Sequence, residues 1–448
     1  MTKNSFDELL FGVEKPSRYL GTEVNAFRQG KKGLNFLLAF PDTYEVGMSH
    51  LGLRILYSIL NSLPDVNAER CFAPWPDREN QLRLHNLPLS SLESRTPIGN
   101  FDIIGFSLQY ELSYTNVLNM MDMGKIPLHT RDRNNDHPLI IAGGPCCFNP
   151  APLSNFIDAF VIGEGEEIIS EISATLRKGK QDKSHRAKIL ENLAHISGIY
   201  VPSVHKKNCI IKKRTVSDLN QWAHPQKPVV PLMQAVHDRI VLEIARGCTR
   251  GCRFCQAGMI WRPYRERDSS LLMEMAEKTL QTTGHDEISL LSLSAGDYTC
   301  IEGLMQNLID EYYSQRVAIA LPSLRVESLN EKLIESIKRV RKTSFTLAPE
   351  AGTDKMRRTI NKGNTSEDLF STIDKVFSAG WKSIKLYFMI GLPGEEQEDL
   401  DGIISLSHEA VRAAKNRGQV TISLSTFCLL YTSPSPRDRT RSRMPSSA

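Results

Sequence analysis

Arg246-Gly-Cys-Thr-Arg-Gly-Cys-Arg-Phe-Cys255 sets Cys248, Cys252 and Cys255 in a CxxxCxxC spacing. It follows directly on an apolar run, Ile240 to Ala245, that reads as a β-strand. Three thiolates on one short loop can hold three irons of a cubane cluster, and the two glycines let the backbone wrap closely around it. The fourth iron then has no local ligand, and an open coordination position is what substrate or cofactor chemistry needs. On spacing alone, a structural zinc site with a fourth ligand from elsewhere is the alternative. Position favours the cluster, because α/β barrels place their active sites on loops at the C-terminal ends of strands.

Outward from this loop, strand and helix patterns alternate, which predicts parallel-sheet α/β architecture. Downstream, the strands read at Ile240 to Ala245, Ile288 to Leu293, Val317 to Leu321, Ser344 to Leu347, Ser383 to Met389 and Val420 to Thr426. These form a barrel-like domain over 239–427. Upstream, strands at Leu34 to Phe40, Val66 to Phe72, Phe101 to Leu108, Leu139 to Ala142 and Ala159 to Ile162 make a doubly wound domain over 1–182, with a helix beginning near Ser49. Scattered lysines and Pro225, Pro228 and Pro231 mark 183–238 as a connector with a hairpin around Lys207 and Asn208.

The chain has 448 residues, 55 Lys+Arg and 51 Asp+Glu, so its net charge of +4 argues against a nucleic-acid binder held by bulk electrostatics. With 41% hydrophobic and 24% charged residues it is an ordinary globular composition, not a disordered one. The start, MTKNSFDELLFG, lacks the apolar core of a secretory signal, and no run reaches the length of a membrane helix, so the cytoplasm is the expected compartment. Nine cysteines without a regular framework fit reduced thiols or metal ligands. The last 21 residues, Cys428 to Ala448, carry four Arg, three Pro and one Asp without periodicity. They read as a disordered basic tail and resemble translated sequencing-adapter read-through, so the natural chain is expected to continue differently after Phe427.

CxxxCxxC with Phe254 before the last cysteine resembles the cluster loop of the radical S-adenosylmethionine (radical SAM) superfamily. The resemblance implies a partial six-stranded β/α barrel and a [4Fe-4S] cluster on Cys248, Cys252 and Cys255, whose unique iron chelates S-adenosylmethionine. Reductive cleavage then releases a 5′-deoxyadenosyl radical that abstracts a substrate hydrogen. Ser294-Ala-Gly-Asp-Tyr298 lies where the superfamily contacts the cofactor's amino group, with Asp297 as the acceptor or, equally, as a turn residue. Ser323 and Arg325, and Glu350 in Pro349-Glu-Ala-Gly352, are candidates for the ribose and carboxylate, or structural residues. Gly391 and Gly394 in Met389-Ile-Gly-Leu-Pro-Gly-Glu395 resemble the adenine-side motif, though alone they are only a turn. Lys355, Arg357, Arg358 and Lys362 read as a solvated helix face or a substrate-facing cluster.

Gly143-Gly144-Pro145 and Gly163-Glu-Gly165-Glu166 follow two upstream strands, where doubly wound domains bind nucleotide-like ligands. Ahead of a CxxxCxxC barrel this looks like the cobalamin-binding domain of B12-dependent radical SAM proteins. Tyr19 to Asn25, Phe40 to Gly52 and Glu243 to Cys248 resemble an uncharacterised bacterial family of that kind, over roughly Pro16 to Phe427. The family's cobalt-ligand motif DxHxxG survives only in fragments, so His50 reads first as a helix cap and second as a ligand. The implied activity is radical SAM chemistry with cobalamin-dependent methyl or alkyl transfer. The alternatives are a methylthiotransferase-like RNA-modifying enzyme, for which Cys71, Cys146 and Cys147 lack cluster spacing, and a non-catalytic metal-binding protein. A flavodoxin- or ferredoxin-like reductant is the implied partner; neither membrane nor nucleic acid is indicated.

Overall fold

The computed structural model describes residues 9–27, 33–206, 209–222, 225–320 and 345–427. It divides into two compact units: the first holds Met1–Asp218, Trp222–Asp238 and Gln281–Thr283; the second holds Leu219–Gln221, Arg239–Leu280 and Gly284–Ala448.

The first unit is built on strands β1 (Leu34–Phe40), β2 (Val66–Phe72), β3 (Ile103–Ser107), β4 (Leu139–Gly143), β5 (Ala159–Val161) and β6 (Ile199–Tyr200). They form one sheet in the order β2-β1-β3-β4-β5-β6, parallel throughout except for β6. Helices α1 (Tyr44–Met48), α2 (Leu51–Ser62), α3 (Pro76–Leu84), α4 (Tyr114–Met123), α5 (Ile168–Gln181) and α6 (Arg186–Ala194) accompany them. Along β1 the side chains alternate between two cores. Leu34, Phe36, Leu38 and Phe40 pack with Leu53, Tyr57 and Leu60 of α2 and with Ile168, Ile172 and Leu176 of α5. Leu37 and Ala39 pack with Val117, Met120 and Met121 of α4. Burial on both faces is why Phe36 to Phe40 reads as one continuous apolar run. The order 2-1-3-4-5 reverses between β1 and β3, and doubly wound sheets bind ligands in the crevice beyond the carboxyl ends of the strands at that reversal.

The helix expected near Ser49 is α2, capped by His50, whose Nδ1 accepts a hydrogen bond from the Leu53 N–H, and the short helix α1, not expected from the sequence, precedes it across Ser49 and His50. The segment predicted to be a connector continues the first unit: α6 buries Leu190 and Leu193, and β6 adds to the sheet edge. The hairpin tip at Lys207 and Asn208 lies outside the described residues.

The second unit carries β7 (Ile240–Glu243), β8 (Ala245–Arg246), β9 (Arg265–Glu266), β10 (Glu287–Leu291), β11 (Ala318–Ala320), β12 (Phe345–Glu350), β13 (Ser383–Ile390) and β14 (Gln419–Thr426). Two parallel sheets, β7-β10-β11 and β12-β13-β14, supply the strands of a β/α barrel in sequential order. The helices are α7 (Ala257–Ile260), α8 (Ser269–Thr283), α9 (Ile301–Tyr312), α10 (Asp354–Thr359), α11 (Ser366–Ser378) and α12 (Gln397–Ala414). Ile384, Leu386 and Phe388 of β13 are fully buried in the core shared with α11 and α12. The alternate residues Ser383, Lys385 and Tyr387 stay partly open, giving that strand a polar second face.

In the first unit the Asp158 carboxylate takes hydrogen bonds from Arg133 (2.9 Å), Arg186 (2.6 Å) and the Ile140 N–H (2.8 Å). Removing it strands two largely buried guanidinium groups. Asp158→Ala is expected to destabilise the first unit by about 3–5 kcal/mol, read as an earlier urea transition, while exposed Asp132→Ala stays within about 0.5 kcal/mol.

Candidate functional site

The cysteine loop is closed at its neck. β8 and β9 pair antiparallel, Ala245 with Glu266 and Arg246 with Arg265, so the chain leaves the barrel strand and returns to the same place. Gly247 turns it there at φ +91°, and a Cβ would stand 2.6 Å from the carbonyl oxygens of Trp261 and Pro263, so only glycine fits. Below the neck, Arg246 grips Glu243 with two bonds, Nε to Oε1 at 2.8 Å and Nη2 to Oε2 at 2.9 Å. Buried Arg267 donates to the Glu243 carbonyl at 3.2 Å.

Phe254 is the loop's apolar anchor, buried with Ala351, Met356, Ile360, Met389 and Leu392, and Cys252 and Cys255 lean on the same cluster. The loop backbone is tied to the end of α10: the Arg253 N–H donates to the Ile360 carbonyl (3.0 Å), the Arg253 guanidinium to the Thr359 carbonyl, and Asn361 Nδ2 to the Gly251 carbonyl (2.8 Å). All three loop cysteines are half-buried. Burial pushes the Cys255 thiol up, as do Cys252 and Cys248, while backbone N–H groups of Gly258 and Ala257 pull it down. The three thiols therefore feel one another, and N–H donors already face a sulfur, an arrangement that tunes clusters. Among the described residues no three His, Cys, Asp or Glu side chains form a single-ion site. A cubane asks for something else, one thiolate per iron, and this donor set fits it.

Asp297, on the turn after β10, is taken up by the cysteine loop, accepting from Arg250 and Thr249. The Arg250 guanidinium holds its carboxyl below the usual range. Glu350, last residue of β12, is buried at φ +75°, an unusual backbone for a side-chain-bearing residue, and meets Lys362 Nζ at 3.2 Å. Lys362 also stands 6.0 Å from the Phe254 ring centre. Gly391 and Gly394 have φ +84° and +79° with open space where a Cβ would sit, and the Gly391 N–H donates to the Glu395 carboxylate. Ser323 and Arg325 lie outside the described residues. The basic cluster divides: Arg357 is fully buried, bonded to the carbonyls of Ala351 and Asn364, and Lys362 is buried, while Lys355 and Arg358 are exposed. Arg250 is the polar residue that sequence reading missed as part of this site. An arginine between two loop cysteines was the available signal.

In the first unit the crevice at the β1 and β3 ends holds Asp42, buried with its pKa raised by burial, 3.5 Å from the Tyr110 hydroxyl. His50 bonds Gln109 and, by burial, has its pKa lowered to about 4. Its Nδ1 is occupied by the cap. Gly144 (φ +109°) lies against the Leu108 backbone beside this crevice, next to Gly143. Gly163 instead makes room for the backbone of Arg214, which bridges to it, and Gly165 for Leu56. Cys71, Cys146 and Cys147 are buried in the α4-side core, with Cys146 pushed up to about 12 by burial.

Together these observations define an α/β-barrel protein that carries three half-buried thiols on one necked loop at its first strand. The family model "Radical SAM superfamily" matches residues 242–407, and "Radical SAM proteins, N-terminal" matches 52–202. An uncharacterised protein of Methanocaldococcus jannaschii is 30% identical over 380 residues, 83% of this chain and 73% of that protein. The ribosomal protein uS12 methylthiotransferase RimO of Caldanaerobacter subterraneus is 25% identical over 173 residues, 36% of this chain and 38% of its own. Among solved structures, the cobalamin-dependent S-adenosylmethionine radical enzyme OxsB aligns at TM-score 0.65 and 14% identity, over 91% of this chain and 60% of its own. The radical S-adenosylmethionine methyltransferase TsrM of Kitasatospora setae aligns at TM-score 0.61 and 13% identity, over 88% of this chain and 75% of its own. At such identities the likeness is one of fold, and the chain spans less than two thirds of OxsB. The chain belongs to the radical SAM superfamily and is an enzyme of it. No helix among the described residues is long and apolar enough to cross a membrane.

Two outcomes follow from the geometry. Gly247→Ala is expected to lower iron bound after anaerobic reconstitution by about ten-fold or more, because the neck must open to admit the methyl group. His50, neutral when folded with a pKa near 4, takes up its proton at higher pH once unfolded. Stability of the first unit should therefore fall as pH drops from about 6.5 towards 4, and His50→Asn, which keeps a capping group, should flatten that slope in melts across pH.

Proposed function

We propose that this chain is a cobalamin-dependent radical SAM enzyme that transfers a methyl or alkyl group to an unactivated carbon. The observation that carries the first half is the necked loop with three half-buried thiols at the carboxyl end of the first barrel strand. Cys248, Cys252 and Cys255 would each take one iron of a [4Fe-4S] cluster, Phe254 shields one flank, and the N–H groups of Ala257 and Gly258 face the Cys255 sulfur. Glu350, held near the loop by Lys362, and the open backbone of Gly391 and Gly394 would line S-adenosylmethionine, and Ser323 and Arg325, outside the described residues, are kept as candidates for its ribose and carboxylate. When bound, these groups supply one-electron chemistry at the sulfonium, and cobalamin supplies a transferable alkyl group. In the first unit, the β1 and β3 crevice with Asp42, Tyr110, Gly143 and Gly144 suits a corrin face, and His50, committed to its cap, points to cobalamin held without a protein imidazole. Gly163 and Gly165 act there through chain packing. A flavodoxin- or ferredoxin-like protein would deliver the electron.

The methylthiotransferase relatives support a second reading over the barrel region alone. It needs another cysteine cluster, and the buried thiols of Cys71, Cys146 and Cys147 are poorly suited to ligation.

Anaerobic reconstitution followed by S-adenosylmethionine and a strong reductant should yield 5′-deoxyadenosine, and Cys252→Ala should lose at least about a hundred-fold of it. An undiminished yield from that variant removes the cluster assignment. Incubation with hydroxocobalamin should leave a corrinoid spectrum on the folded protein after desalting; a protein that stays colourless removes cobalamin from the proposal.

A further inference from the structure

Asp297 is met by Arg250 in the planar fork arrangement, Nε to Oδ2 at 2.9 Å and Nη2 to Oδ1 at 2.5 Å, with Thr249 Oγ1 on Oδ2 at 3.2 Å. Bidentate charge-assisted pairs fix geometry as well as energy. The acceptor stands on firm ground. It ends the turn Ala295–Asp297, whose Ala295 is fully buried in the barrel core, and neighbouring Tyr298 is buried with its hydroxyl on the Arg267 carbonyl at 2.8 Å. The donor sits between Cys248 and Cys252. One residue further on, the Gly251 carbonyl is held by Asn361, and the Arg253 N–H by the Ile360 carbonyl. The cysteine loop is thus gripped from two sides, by an ion pair to the end of β10 and by hydrogen bonds to the end of α10.

We propose that Arg250 and Asp297 are positioning residues: their ion pair holds the segment between Cys248 and Cys252 in its ligating shape before the cluster arrives, and Asp297 acts through Arg250 instead of touching the cofactor's amino group. The proposal rests on reading the triad as cluster ligands. The pair is only partly shielded, Arg250 being 37% and Asp297 11% exposed at the side chain, so its energy is modest and its effect is confined to the loop.

Hydrogen exchange of the metal-free full chain tests this directly. Arg250→Gln and Asp297→Asn should each speed exchange of the amides of residues 247–262 by about ten-fold, leaving other barrel peptides and the melting temperature unchanged. The charge-swapped double variant, Arg250→Asp with Asp297→Arg, should recover at least half of the protection. In parallel, cluster absorbance should develop more slowly in the single variants than in wild type. Loop exchange unchanged in Asp297→Asn, together with weaker S-adenosylmethionine binding by the reconstituted variant, overturns the proposal and makes Asp297 a direct ligand. Iron and sulfide assays on the wild type decide the cluster reading separately, since the exchange result is obtained without metal.

Discussion

A two-rung antiparallel ladder, Ala245 with Glu266 and Arg246 with Arg265, is the contact on which the candidate site depends. The ladder brings a chain that has left the end of β7 back onto its own exit, and everything between becomes a closed loop carrying three thiols. Gly247 is the residue that lets the backbone make that turn, and the two-bond grip of Arg246 on Glu243 ties the neck to the strand below. Phe254 then fastens the far side of the loop into apolar surroundings. The grip of Arg246 on Glu243 and the turn at Gly247 are local, whereas the apolar cluster around Phe254 and the anchors at Asp297 and Asn361 come from distant parts of the sequence.

That division explains what could be read beforehand. Doubly covered strands such as β1 announce themselves as unbroken apolar runs, and the cysteine spacing is written in ten consecutive residues, so the two α/β units and the triad were legible. The polar fastenings were not. Arg250 and Asp297 are 47 residues apart, Lys362 and Glu350 are 12, and neither pairing leaves a periodic trace. Residues 183–206 misled for a different reason. Their buried apolar side chains, Leu190, Leu193, Ile199 and Val201, pack a short helix and an edge strand but form no apolar run or periodic stretch as long as those of the other elements.

The glycines teach a related lesson. Gly144 and Gly163 both have positive φ at the carboxyl end of the sheet, and both look like ligand-binding turns in the sequence. In the fold each accommodates the chain's own backbone, Leu108 for Gly144 beside the β1 and β3 crevice and Arg214 for Gly163 away from it. What marks the ligand end of this unit is strand order, with Asp42 after β1 and Tyr110 after β3 meeting where the winding reverses.

A loop closed on its own neck is also insulated. Because Ala245 and Glu266 already lie side by side, extra residues inserted between Cys255 and Tyr264 would leave the pairing of β7 with β10 undisturbed, and each doubling of loop length costs only about 0.6 kcal/mol in chain entropy. The outer part of the loop can then vary in size and chemistry while the cysteine-bearing part and the barrel stay as they are. Diversity of substrate in such a scaffold needs no redesign of its foundations.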